Sequence, residues 1–95
     1  MDKVIVLNFL RTHKDELAQR YGVEKIGLFG SYAKDEQHEG SDIDLAILSS
    51  NKDFFVRDDL REFLEKNLGV PVDVGYIDSF RSYYREQIDK EIIYA

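Results

Sequence analysis

The sequence predicts a small α/β fold of the two-layer α+β kind. Three strands form a mixed sheet with helices packed on one face, in the order α-β-β-α-β-α. Three observations carry that expectation. Amphipathic stretches at helical spacing end on glycine. Short runs with strand alternation lie between them. Two of those runs place aspartate and small residues on one face and branched apolar residues on the other.

The elements follow in order. From Lys3 to Tyr21, Val6, Leu10, Leu17 and Tyr21 recur at near-helical spacing with charges between them, and Gly22 stops the helix. Val23 to Gly30 reads as a strand with Ile26 and Leu28 on one face. Ser31 to Ser41 is a polar connection that opens with a helical turn, and Asp42 to Leu48 is the second strand. Ser49 to Phe55 reads as a loop. Val56 to Leu68 is a helix with Val56, Leu60, Phe63 and Leu64 as its apolar stripe, ended by Gly69. Pro71 sits at a strand start, where its missing N–H costs least, and Val72 to Ile77 is the third strand. Asp78 and Ser79 are suited to cap a last helix carrying Phe80, Tyr83, Tyr84 and Ile88 on one side.

Size and composition narrow the function. The 95 residues suit one domain spanning 1–95. Without cysteine there are no disulfides or thiolate metal sites, which fits the reducing cytoplasm. No apolar run is long enough for a membrane span, and Met1-Asp2-Lys3 does not open a signal peptide. A net charge of −6 argues against direct nucleic-acid binding, which needs clustered Lys and Arg. It suits a basic protein partner or a metal-bound nucleotide.

The chemistry concentrates at two aspartates one residue apart. Aspartate is a poor strand former, yet Asp42 and Asp44 lie in a strand-like run and point to one side. In the third strand Asp73 and Gly75 oppose Val70, Val72, Val74 and Tyr76, so Asp73 joins the pair on the open face of the sheet. Mutual repulsion of carboxylates favours a cation between them. Oxygen ligands beside a substrate phosphate suit Mg²⁺, and two ions divide the attacking and leaving oxygens between them. Asp42 and Asp44 are then the ligands that reach both ions, and Asp73 serves the acceptor side. Gly30 lets the backbone approach a triphosphate, Ser31 supplies a hydroxyl and an N–H, and Lys34 adds a charge. Plainer roles exist: a solvated strand edge or calcium site for the aspartates, a helix cap for Ser31, a solvated Lys34, and surface positions for His13 and His38. Tyr83 and Tyr84 suit core or interface.

Gly30-Ser31, the Asp42-x-Asp44 pair and the later Asp73 together resemble the nucleotidyltransferase superfamily that includes DNA polymerase beta, and the shortness resembles its minimal nucleotidyltransferase (MNT) branch. The family pattern is roughly Gly-Ser-x-Ala-Arg-Gly, a spacer, then Ser-Asp-x-Asp-Leu. Lys34 stands at the arginine and Asp35 at the second glycine, which adds a negative charge near the expected phosphate site. The resemblance implies transfer of a nucleoside monophosphate from a triphosphate to a hydroxyl. In MNT antitoxins this is AMP from ATP, moved to a tyrosine of a HEPN-family toxin, a helical ribonuclease. A chain this short has no second domain for a small acceptor, so a partner protein is the natural acceptor, in a hetero-oligomer with the toxin. The alternatives are an antitoxin that acts by binding alone and a small-molecule nucleotidyltransferase that works as a homo-oligomeric dimer.

Overall fold

A computed structural model describes all residues, 1–95. Helix α1 (Lys3–Thr12) starts from Asp2, whose carboxylate accepts the Ile5 N–H at 3.0 Å. Helix α2 (Lys14–Tyr21) follows after His13 and ends at Gly22, whose φ of +68° gives the left-handed turn expected of a C-terminal glycine. The single first helix expected from periodicity is therefore two. At the break, Thr12 Oγ donates to the Asn8 carbonyl, and His13 Nδ1 lies 2.9 Å from the Phe9 carbonyl with its ring stacked on Phe9. Side chains that bind backbone carbonyls compete with the helical ladder, and the chain re-aims here.

Strand β1 (Val23–Phe29) leads into the single-turn helix α3 (Gly30–Ala33). Strand β2 (Ile43–Ser49) comes next, then the long helix α4 (Phe54–Leu68) and strand β3 (Val72–Tyr76). Residues Ile77–Ser79 form a 3₁₀ turn before helix α5 (Ser82–Glu91) and the two-residue strand β4 (Ile93–Tyr94). The sheet order is β3-β2-β1-β4. Strand β1 runs antiparallel to both β2 and β4, whereas β2 and β3, joined through α4, are parallel.

The mixed α/β architecture agrees with the expectation, but the sheet has four strands rather than three. Strand β4 is too short to show alternation. It is held by pairing with Gly27 and Leu28, and Ala95 N–H donates to the Ile26 carbonyl at 2.9 Å. Helix α4 begins two residues before the expected Val56, because the Asp53 carboxylate accepts the Phe55 and Val56 N–H groups. Phe54 and Phe55 are thus helical and exposed. The cap expected from Asp78 and Ser79 is absent. Asp78 instead pairs with Lys52 at 2.6 Å, and α5 starts after Arg81 with no side-chain cap.

The core forms where α1, α2 and α4 meet the apolar side of the sheet. Val6 and Leu10, Leu17, Leu60 and Leu64 pack with Ile26, Leu28, Ile43, Leu45, Ile47, Val72 and Val74, all buried. The C-terminal segment borders the opposite side. A Cβ on Gly75 would lie 2.7 Å from the Phe80 ring, which also meets Phe29 edge-on. Of the residues expected to line one side of the last helix, Ile88 is buried, Phe80 precedes the helix, and Tyr83 and Tyr84 are 81% and 59% exposed. No helix is long and apolar enough to cross a membrane.

Candidate active site

Strand register builds the site. In the parallel β2–β3 pair Asp44 lies beside Asp73, and in the antiparallel β1–β2 pair Phe29 lies opposite Asp44. Gly30 follows immediately, so the chain turns off β1 directly against the Asp44 side chain. The turn requires glycine twice over. Its φ is +75°, in the left-handed region, and any Cβ there would collide with the Asp44 carboxylate.

A cleft of about 440 Å³ opens here, lined by Gly30, Lys34, Asp44 and Asp73 together with Tyr84 and Glu91 from α5. Asp44 is its most perturbed group. Burial first, then the charges of Asp73, Asp42 and Glu91, push the Asp44 carboxyl up to about 6. Asp42 falls one residue before β2 and is exposed. It is near enough to be felt by Asp44, but it does not line the cleft. The three aspartates are not gathered into a ready-made metal cage.

Ser31, the second residue of α3, is half-buried. Its carbonyl accepts the Lys34 and Glu36 N–H groups at 3.2 and 2.8 Å, closing the turn. Lys34 reaches the cleft beside Gly30. Asp35 has a φ of +56°, a left-handed conformation that aspartate tolerates better than most residues. Its side chain pairs with Lys3 at 2.9 Å, at the start of α1.

Sequence reasoning missed Glu91. Its side chain is only 14% exposed, accepts the Gly30 N–H at 3.2 Å and lies 3.7 Å from Lys34 Nζ. No local pattern marks it. It reaches the turn only because α5 folds back over this side of the sheet.

A strand pair that places two carboxylates below a glycine turn, within a four-stranded mixed sheet, is the arrangement that the resemblance to nucleotidyltransferases implies. Residues 10–95 match the nucleotidyltransferase domain family, and the chain belongs to it. It is 36% identical over 92 residues to the protein adenylyltransferase MntA of Thermococcus cleftensis, covering 93% of this chain and 90% of that protein. It is also 39% identical over 94 residues to a candidate protein adenylyltransferase of Methanocaldococcus jannaschii, covering 95% and 94%. Among solved structures, one described as a candidate minimal nucleotidyltransferase aligns with a TM-score of 0.76 at 32% identity, over 98% of this chain and 95% of that one. A toxin–antitoxin crystal structure with AMP-PNP aligns with a TM-score of 0.73 at 28% identity, over 87% and 69%.

Proposed function

We propose that this chain is a protein adenylyltransferase that moves AMP from ATP to a tyrosine hydroxyl of a HEPN-family toxin and so acts as its antitoxin in the cytoplasm. The observation that carries this reading is the register pairing of Asp44 with Asp73 directly beneath Gly30. Likeness to protein adenylyltransferases supports a protein acceptor, and the HEPN toxin and its tyrosine follow from the resemblance to MNT antitoxins.

Asp44 and Asp73, side by side in register, offer the carboxylate oxygens that Mg²⁺ prefers. Asp44 is held near 6 by burial and by neighbouring negative charge, and a divalent cation among those oxygens would relieve that repulsion. Asp42, Asp44 and Asp73 are the residues that would hold two such ions, which would polarise the phosphates and lower the pKa of the attacking oxygen. Gly30, with no side chain in the way, lets the triphosphate come down onto the turn, where Ser31 and Lys34 bind it. The acceptor oxygen forms a bond to the α-phosphorus, the bond to the β-phosphate oxygen breaks, and pyrophosphate leaves. Asp73, the exposed carboxylate at the edge of the cleft, takes the hydroxyl proton.

A second reading, neutralisation by contact alone, draws on the exposed Phe54, Phe55, Tyr83 and Tyr84. Its other motive, Asp35 near the phosphate site, is weakened by the pairing of Asp35 with Lys3.

The test incubates the chain with Mg²⁺, a HEPN-family protein and ATP labelled at the α-phosphate. Label is expected on the HEPN protein with wild type and not with an Asp42→Asn/Asp44→Asn variant. Equal labelling by both, or none by wild type, removes the enzymatic reading for that partner.

A further inference from the structure

Asp73 lines two clefts. One is the cleft under Gly30; the other lies on the α4 side, formed by Asp73, Val74, Phe54, Arg57, Asp58 and Arg61. In the second cleft one cation, Arg57, is paired with no carboxylate. Arg57 is half-buried, and its guanidinium lies 5.3 Å from the Phe54 ring centre and 5.4 Å from that of Tyr76, yet its side chain makes no hydrogen bond or ion pair. Its neighbour Arg61 shows the contrast, bound to Asp58 at 3.0 and 3.1 Å and to Glu65 at 2.6 Å. Asp58, which follows Arg57 on the same helix and lines the same cleft, is already engaged by Arg61.

Arg57 also sits where a helix gains nothing from it. It lies in the first turn of α4, at the positive end of the helix dipole, where an acid is the favoured residue. In a chain with 19 acidic and 13 basic residues, a guanidinium set against that dipole has only its two aromatic contacts and no carboxylate partner. Two aromatic faces hold it in place beside Asp73.

We propose that this second cleft seats the acceptor-bearing segment of the partner polypeptide, with a carboxylate of that segment paired to Arg57 and an apolar side chain against Phe54. The inference rests on the adenylyltransferase reading. The nucleotide's phosphates belong to the Gly30 side of Asp73, so the substrate arriving from the α4 side is the acceptor. An unmodified protein acceptor carries carboxylates as its anions. Asp73, the one residue shared by both clefts, is then where the two substrates meet.

The test measures transfer from Mg²⁺–ATP to a HEPN-family protein by wild type, Arg57→Lys and Arg57→Glu, together with the thermal shift that Mg²⁺–ATP gives each chain alone. Arg57→Glu gives up the cation–π contacts to Phe54 and Tyr76 but breaks no hydrogen bond or ion pair and suits the helix dipole, so it is expected to fold. It is expected to raise the KM for the protein acceptor about tenfold or more, the scale of one lost ion pair at a partly desolvated interface, with Arg57→Lys between it and wild type. The Mg²⁺–ATP shift is expected to be the same in all three. An unchanged acceptor KM in Arg57→Glu overturns the proposal, as does a lost Mg²⁺–ATP shift, which would assign Arg57 to the nucleotide site. A wild type that binds Mg²⁺–ATP but transfers nothing overturns the adenylyltransferase reading instead. The cleft then stands or falls on whether Arg57→Glu weakens binding of the same HEPN-family protein.

Discussion

Asp44 and Gly30 shape the cleft, and Asp35 shapes the turn that follows it. The folded chain holds Asp44 near 6, above the ordinary value of 3.8 that it has when unfolded. The folded state therefore binds a proton more tightly than the unfolded one. Its contribution to stability is fully present below about pH 4 and is lost as pH rises through about 6. Metal-free thermal melts are expected to fall across that window in wild type and to stay flatter in Asp44→Asn. At pH 7 the variant is expected to be the more stable by about 1–2 kcal/mol, less than the full shift implies because the carboxylate is only half-buried, while losing transfer. Gly30→Ala meets both the Asp44 carboxylate and a positive φ, so it is expected to lose activity and about 1–3 kcal/mol in urea unfolding. At Asp35 the expectation divides by residue. Asp35→Gly relieves a left-handed strain and is near neutral, whereas Asp35→Ala costs about 1 kcal/mol. The exposed pair with Lys3 contributes little either way.

Among the elements, the paired carboxylates come from β2 and β3 and the turn from β1 and α3, while the C-terminal segment closes the cleft from the side. The strand aspartates were legible because alternation in β2 and β3 separates Asp44 and Asp73 from the valines, leucines and isoleucines of the core. The glycine stops at Gly22 and Gly69 were equally plain, since both residues adopt the left-handed turn their positions suggested. Other features were hidden for identifiable reasons. Strand β4 is held by β1 rather than by its own pattern. The break at His13 depends on side-chain bonds to carbonyls, which periodicity does not register. Asp53 masked the start of α4 because two exposed phenylalanines beside a polar loop read as loop. Glu91 needed the path of α5, which local spacing does not encode. That path depends on Gly75, whose missing side chain makes room for Phe80. Gly75→Val is expected to displace Phe80, cost about 1–3 kcal/mol in denaturant unfolding and weaken nucleotide binding by shifting α5.

For the molecule as a whole, one side of the sheet is core and the other carries the cleft with Gly30, Asp44 and Asp73. On the proposed reading, an anionic nucleotide would meet a chain of net charge −6 at a cleft lined by Asp44, Asp73 and Glu91, and a divalent cation would offset that repulsion. The exposed aromatics Phe54, Phe55, Tyr83 and Tyr84 stand on α4 and α5, the two helices that contribute side chains to the clefts meeting at Asp73. In cells expressing the toxin, a folded Asp42→Asn/Asp44→Asn variant is expected to lose protection. Full protection would favour neutralisation by contact. The central claim is that the cleft between Gly30, Asp44 and Asp73 is a magnesium–nucleotide site. Its most direct test needs no partner: the thermal midpoint of the chain with a non-hydrolysable ATP analogue, with and without Mg²⁺, in wild type and Asp44→Asn. The expected result is a rise in wild type that requires Mg²⁺ and is lost in the variant. A rise of equal size in the variant, or no rise in wild type at saturating analogue and Mg²⁺, would contradict it.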